Sequence, residues 1–441
     1  MRERIIQFGE GGFLRSFADM FVHIMNEKGT FDGKVVVVQP IQKGLINVIN
    51  EQGGVYHQYL RGIENGEVIN SCTEVHSISR GVDPYTDYKA YLELAHNPDM
   101  RFIISNTTEA GIEYLGTEKL SDAPPKSFPA KLTALLYERF KCGLPGFILF
   151  CCELIDRNAD FLKEYVLKYA DLWQLGDEFK SWIETENRFC NTLVDRICTG
   201  YPKDEAEKLC RELGCEDRLL NTAEIFHLWV IEGSFEDEFP LKKSGINVIW
   251  TDDVTPYKKR KVRILNGAHT SMVLAARLYG LSTVGECLND PNVCACLKKT
   301  LDEEIIPTLG STDEDITFGN AVLERFANPF VKHQLLSIAL NSVSKFKARV
   351  LPTILEYREK YGRLPKRLTM SLAALIAFYR TDEANDGEEI MKFMKTASVK
   401  DILAREDYWG ESLSFMEPEI EAALKLIEEG GMKAYYAEAL R

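Results

Sequence analysis

A short β-rich run, a glycine turn and an amphipathic helix follow one another at the start of the chain, and that order restricts the fold more than any other feature. Ile5-Ile6-Gln7-Phe8 is a candidate strand, and Gly9-Glu10-Gly11-Gly12-Phe13 is the turn. Apolar residues then recur at Phe13, Leu14, Phe17, Met20, Phe21, Ile24 and Met25, a helical spacing, with Gly29 as a stop just past it. This arrangement sets backbone N–H groups and a helix N-terminus against a pyrophosphate. Glycine suits the turn because a side chain would hold the phosphate away. The third position of the usual G-x-G-x-x-G pattern is Leu14, so the match is incomplete, and a purely steric glycine turn reads the same way.

Further strand candidates alternate with helical patterns. Val35 to Val38 is a continuous β-branched run, the mark of a strand buried on both faces. Arg101 to Ser105, Gly146 to Phe150 and Val248 to Trp250 are three more. The alternation predicts an α/β domain with a doubly wound parallel sheet over residues 1–252. After Pro256 helical periodicity dominates, so residues 253–441 are expected to form a mostly α-helical second domain, with a surface loop from Thr381 to Glu389. Two domains also suit the length of 441 residues.

Composition narrows the partners. The net charge of -14 argues against nucleic acid, which calls for clustered Lys and Arg. No apolar run reaches the length of a membrane span, and the N-terminus lacks the apolar core of a signal peptide, so a cytoplasmic location is expected. The 11 cysteines are scattered without a Cys-x-x-Cys or a zinc-finger Cys/His set, and read as reduced, packed thiols with no metal site. A small molecule is the expected partner, and oligomeric state is not legible.

The second strand ends in Gln39-Pro40, with Lys43 nearby, where an acid usually binds the adenosine ribose. Gln39 suits NAD and Lys43 suits NADP, so the choice stays open at this point. Thr255-Pro256 is a good helix start, as N-cap and first helical position. Downstream stand Lys261, Asn266 and His269. At roughly 100° per residue, Asn266 lies about 140° round an α-helix from Lys261, with His269 between them at about 80°. Reduction of a ketone needs a proton donor and fixed hydrogen-bond donors at the oxygen. Lysine serves when burial and neighbouring cations, here Arg260 and Arg263, lower its pKa. The same residues also fit a solvated basic face, a helix break at Asn266-Gly267 and a structural histidine.

These residues resemble a known family. Asp253-Val254-Thr255-Pro256-Tyr257, followed by Lys261 and Asn266-Gly267-x-His269, is similar to the signature of the long-chain mannitol dehydrogenase family. The turn Gly9-x-Gly11-Gly12-Phe13-x-Arg15 is similar to that family's G-x-G-x-F-x-R. Thr107-Thr108-Glu109-Ala110-Gly111, Phe128 to Leu132, Asn191-x-x-Val194-Asp195-Arg196, Trp229 to Glu232 and Arg325-Phe326-x-Asn328-Pro329 resemble its further landmarks, in order. Asn50-Glu51-Gln52 through Gly62, Glu153 to Asn158 and Leu340 to Lys345 look like a hexuronate-reducing subgroup.

The resemblance implies a Rossmann-type first domain and metal-independent, NAD(H)-linked interconversion of a ketone and an alcohol on a sugar acid. Phe8, Gly9, Glu10, Gly11, Gly12, Phe13, Arg15, Gln39, Thr107, Thr108, Glu109 and Asp253 would then hold the cofactor. Lys261 would move the proton, Asn266 hydrogen-bond the oxygen and His269 position the sugar chain. A buried substrate carboxylate needs a cation, and Arg325, Lys345, Arg349 and Arg263 are the candidates. Glu232 and Asp253 read as supporting partners of the site or as plain element ends. One departure stands out. Polyol-oxidising members carry Ser-Cys-Asp-Asn where this chain has Cys151-Cys152-Glu153-Leu154, and Leu154 cannot donate the hydrogen bond of that asparagine. Competing expectations are a fructuronate or neutral-polyol substrate, and an NADH-binding sensor without turnover.

Overall fold

The computed structural model describes residues 1–108 and 110–441, so the expected cofactor ligand Glu109 lies outside the described residues. The chain divides into two compact units, Met1–Arg61 with Val68–Thr255, and Pro256–Arg441 with the short segment Gly62–Glu67.

The strands are β1 (Arg2–Phe8), β2 (Gly33–Val38), β3 (Tyr56–Glu64), β4 (Glu67–Val75), β5 (Ile78–Val82) and β6 (Phe102–Ser105). They continue with β7 (Ile148–Cys151), β8 (Arg188–Asp195), β9 (Cys198–Gly200), β10 (Asn221–Glu224), β11 (Leu228–Glu232) and β12 (Val248–Thr251). Eight of them form one sheet in the order β12-β11-β8-β7-β6-β1-β2-β5. Side chains alternate strictly between two cores. Ile5, Val35, Val37, Phe102, Ile104, Ile148 and Phe150 fill one face, and Ile6, Phe8, Val36, Val38, Ile103, Leu149 and Cys151 fill the other. Each such buried side chain contributes roughly 1.5–3 kcal/mol, which is why β-branched runs without a polar face belong here.

From β1 the chain winds through β2 to β5 on one side, and through β6, β7 and β8 on the other. The ends of β1 and β6, paired through Phe8 and Ser105, therefore border the crevice where an open parallel sheet takes its ligand.

Two features depart from the expected all-parallel sheet. β11 pairs with β8 antiparallel, Leu228 opposite Asp195. A second sheet, β4-β3-β10-β9, was not foreseen. Its hairpin turns at Asn65-Gly66, both at positive φ (52° and 81°), a pairing characteristic of tight hairpins.

The second unit is helical apart from isolated pairings. Its centre is the helix Lys366–Tyr379, buried nearly all round, against which Gly267–Leu278 and Glu417–Leu440 pack. The polar stretch after it is a loop as far as Gly387, where the helix Glu388–Thr396 takes over two residues earlier than expected.

Candidate active site

The glycine turn closes directly on β1. Gly9 has φ 123°, and a Cβ there would lie 3.0 Å from the Asn106 carbonyl at the end of β6. At Gly12 a Cβ would lie 2.7 Å from Asn221 Oδ1, while Asn221 Nδ2 donates to the Gly12 carbonyl at 2.8 Å. The small sheet thus fixes the turn from behind, and glycine is what allows the contact. Leu14 occupies the third glycine position as a core residue, its Cδ1 3.2 Å from where a Gly9 Cβ would be. No side chain caps the helix start at Gly11, which leaves its first N–H groups for a ligand. This open helix start at the sheet's switch point fits the pyrophosphate of a dinucleotide.

The expected cofactor residues separate into two sets. Gly11 and Gly12 form the uncapped helix start, and Glu10 and Gln39 are buried beside it. A Cβ on Gly44 would meet Glu10 Oε1 at 2.0 Å and Gln39 Oε1 at 2.5 Å, so both side chains converge on that glycine beside the end of β2. Burial raises the Glu10 carboxyl above its ordinary range, against a hydrogen bond from the Leu45 N–H. The other set supports the turn. The Phe8 ring packs in the core on Phe128 at 4.9 Å, and Phe13 stacks on Phe17 at 5.1 Å. Arg15 is buried, donating to the carbonyls of Glu10 and Leu219, with Tyr56 across its face. Thr107 gives its N–H and hydroxyl to Glu153 at 3.0 and 3.1 Å, and Thr108 sits at φ 71°. Asp253 takes the Thr255 N–H at 2.8 Å, so the carboxylate of Asp253, rather than Thr255, caps the helix Thr255–Lys261. Glu232 binds Asn191 Nδ2 and the Val254 N–H, fixing the same corner.

In the second unit, Lys261 ends that helix, a π-turn runs over Val262–Asn266, and the helix continues as Gly267–Leu278. Asn266-Gly267 is therefore not a break. The π-turn revises the expected geometry, because its i→i+5 bonding brings residues five apart toward one face. The separation of about 140° between Lys261 and Asn266 on a regular α-helix therefore does not hold across this turn. Gly267 serves a close approach: a Cβ there would be 3.1 Å from the Arg349 carbonyl.

His269 lies flat on Phe326, centroids 3.9 Å apart at 7°, with His333 edge-on at 5.4 Å. Its Nε2 is buried and has no hydrogen-bond partner among the described residues. Burial, followed by the charges of His333, Arg325 and Arg349, holds its pKa well below the ordinary value. It is a neutral imidazole.

The basic run resolves into ties and one neighbour of Lys261. Arg260 binds Asp315 at 2.7 Å and Glu314 at 2.9 Å, and Lys259 binds Glu356 at 3.1 Å. Arg263 binds Thr353 at 2.8 Å and Glu356 at 2.9 Å. Arg260 and Arg263 are thus neutralised by acids, contrary to the expectation that they act on Lys261. Lys258 has its own pKa lowered by burial and then by the Lys261 charge. It stands three residues before Lys261, the helical spacing at which side chains are neighbours. His333 also escaped the sequence reading, since nothing in spacing pointed to it, and Phe326 stood there only as part of a family landmark. Leu154, in the first unit, is 62% exposed and supplies no polar group.

Both parts of the chain match models of one family. Residues 3–243 match the mannitol dehydrogenase Rossmann domain, and residues 253–428 the mannitol dehydrogenase C-terminal domain. An altronate oxidoreductase of Pectobacterium atrosepticum (strain SCRI 1043) is 48% identical over 89% of this chain and 82% of its own. One from Escherichia coli O7:K1 is 46% identical over 98% of this chain and 95% of its own. Two solved structures share the fold: a D-sorbitol dehydrogenase in substrate-free form (TM-score 0.86, 24% identity, 99% of this chain and 95% of that one) and the Pseudomonas fluorescens mannitol 2-dehydrogenase in ternary complex with NAD and D-mannitol (TM-score 0.72, 22% identity, 100% and 94%).

Proposed function

The chain belongs to the mannitol dehydrogenase family and is a sugar-acid or polyol oxidoreductase, and from that premise we propose that it interconverts D-tagaturonate and D-altronate with NAD(H) in galacturonate breakdown. The observation that carries this reading is His269 Nε2, buried without a hydrogen-bond partner among the described residues, on the run of helix that also carries Lys261 and Asn266. The relatives named altronate oxidoreductase supply the substrate.

A nicotinamide cofactor bound at the glycine turn would supply or accept the hydride. In reduction, the Lys261 ammonium donates a proton to the oxygen of the former carbonyl. In oxidation, neutral Lys261 removes the hydroxyl proton. The Asn266 amide donates to the same oxygen and steadies its developing negative charge, in place of a donor at Leu154. The neutral His269 uses Nε2 to fix a substrate hydroxyl. At the other end of the cofactor, Glu10 and Gln39, which converge on Gly44, take the adenosine ribose hydroxyls, a reading that favours NAD over NADP.

The test follows NADH absorbance with D-tagaturonate, fructuronate and fructose in parallel. Turnover of tagaturonate well above the other two is expected. A preference for fructuronate or fructose would keep the chemistry and discard the substrate, and NADH binding without turnover of any of them would discard the enzyme reading.

A further inference from the structure

Lys345, Arg325, Arg263 and Arg349 all lie in the second unit, and the structure separates them by what already holds them. Arg263 is committed to Thr353 and Glu356. Lys345 Nζ donates to the Ile338 carbonyl at 2.8 Å. Arg325 is buried and engaged by neighbours. Arg349 differs. Among the described residues no hydrogen bond, ion pair or ring contact engages its half-buried guanidinium.

An arginine closing a helix has a bland explanation, since a cation there suits the helix dipole. Two observations go beyond it. The Arg349 backbone is seated against the helix that carries the site, its carbonyl 3.1 Å from a Gly267 Cβ. His269 Nε2, the buried atom without a partner, lies within reach of the Arg349 charge. The charges bearing on His269 are His333, Arg325 and Arg349, with no carboxylate to balance them. Lys345, one turn earlier on the Arg349 helix, adds to the same sign. Its neighbour Asp386 is occupied by the Tyr379 hydroxyl at 2.5 Å and the Gly387 N–H at 2.8 Å. A partly desolvated guanidinium on a helix seated against the one that carries His269 suits an anion.

We propose that Arg349 is the receptor for the carboxylate of the sugar-acid substrate, taking it by a forked pair of N–H···O bonds. The proposal rests on the sugar-acid reading above and makes Arg349 the residue that separates keto-uronates from neutral ketoses. Loss of a charge-assisted pair corresponds to about a 10- to 100-fold loss in kcat/KM.

The experiment compares wild type, Arg349→Gln and Arg349→Lys on D-tagaturonate and on D-tagatose, its neutral counterpart with a hydroxymethyl group in place of the carboxylate. NADH binding is measured by fluorescence as a control for folding. Arg349→Gln should lose about 10- to 100-fold on tagaturonate, mainly through KM, and change less than about threefold on tagatose. Arg349→Lys, with charge but no fork, should fall between. Equal losses on both substrates, or an unchanged preference for tagaturonate, would overturn the receptor role. If the wild type itself prefers tagatose, the sugar-acid reading fails, and the receptor with it.

Discussion

Glu10 reaches from the glycine turn to the end of β2, where it meets Gln39 against Gly44. A ribose 2′-hydroxyl can donate to that carboxyl, whereas a 2′-phosphate brought to the same place is repelled. Glu10→Ala should therefore narrow the preference for NADH over NADPH by about tenfold or more, one charged hydrogen bond's worth. Steady-state kinetics with both cofactors measures it, and an unchanged ratio would remove Glu10 from cofactor choice. Asp19 gives a second prediction. It is fully buried on the first helix, accepts from Gln7 Nε2 at 3.0 Å, and burial pushes its pKa from 3.8 to about 7. The folded chain then holds this proton more tightly than the unfolded one, so stability from this group falls as pH rises from about 4 to about 7. Asp19→Asn should stabilise by on the order of a few kcal/mol at pH 8 and little at pH 4. Denaturant melts at the two pH values test this, and a gain independent of pH would contradict it. Residue types at the site were legible from spacing and likeness, but pairings were not. Arg260 and Arg263 looked like neighbours of Lys261 in sequence, yet their partners Asp315 and Glu356 lie tens of residues away.

The π-turn over Val262–Asn266 sets the site's geometry, and a reading at 3.6 residues per turn has no means of finding it. Gly267, just after it, is where two effects oppose each other. Alanine is favoured over glycine in a helix by about 1 kcal/mol. A Cβ there would press on the Arg349 carbonyl at 3.1 Å, and overpacking costs about 1–3 kcal/mol. The second effect should win. Gly267→Ala is expected to lower the melting temperature and to cut kcat/KM on tagaturonate by about tenfold, as the helix bearing Arg349 is displaced. A more stable variant of full activity would show that the contact has no bearing on the site. Among the strands, β2, β6 and β7 were legible as continuous apolar runs, because burial on both faces leaves no other pattern. The hairpin β3–β4 was missed although Asn65-Gly66 marks it, since one face of β4 is exposed and its residues are mostly polar. The antiparallel β11 could not be read, as strand direction follows from connections and leaves no trace in composition.

At the scale of the whole chain, 67 acidic against 53 basic residues give a net charge of -14, yet the charges bearing on His269 are cationic. Global sign and local field are opposed, which is what a site for an anionic sugar requires. The fold class was legible because a glycine turn between strand and helix, followed by a switch to helical periodicity after Pro256, admits few architectures. The most direct test of the account is the rate of NADH oxidation by D-tagaturonate with Lys261→Ala beside the wild type, NADH affinity being measured on both. The variant should bind NADH as the wild type does and lose about 10²- to 10⁴-fold in kcat, the contribution of a positioned proton donor. A variant that keeps its rate within a few-fold would contradict the central claim that Lys261 moves the proton.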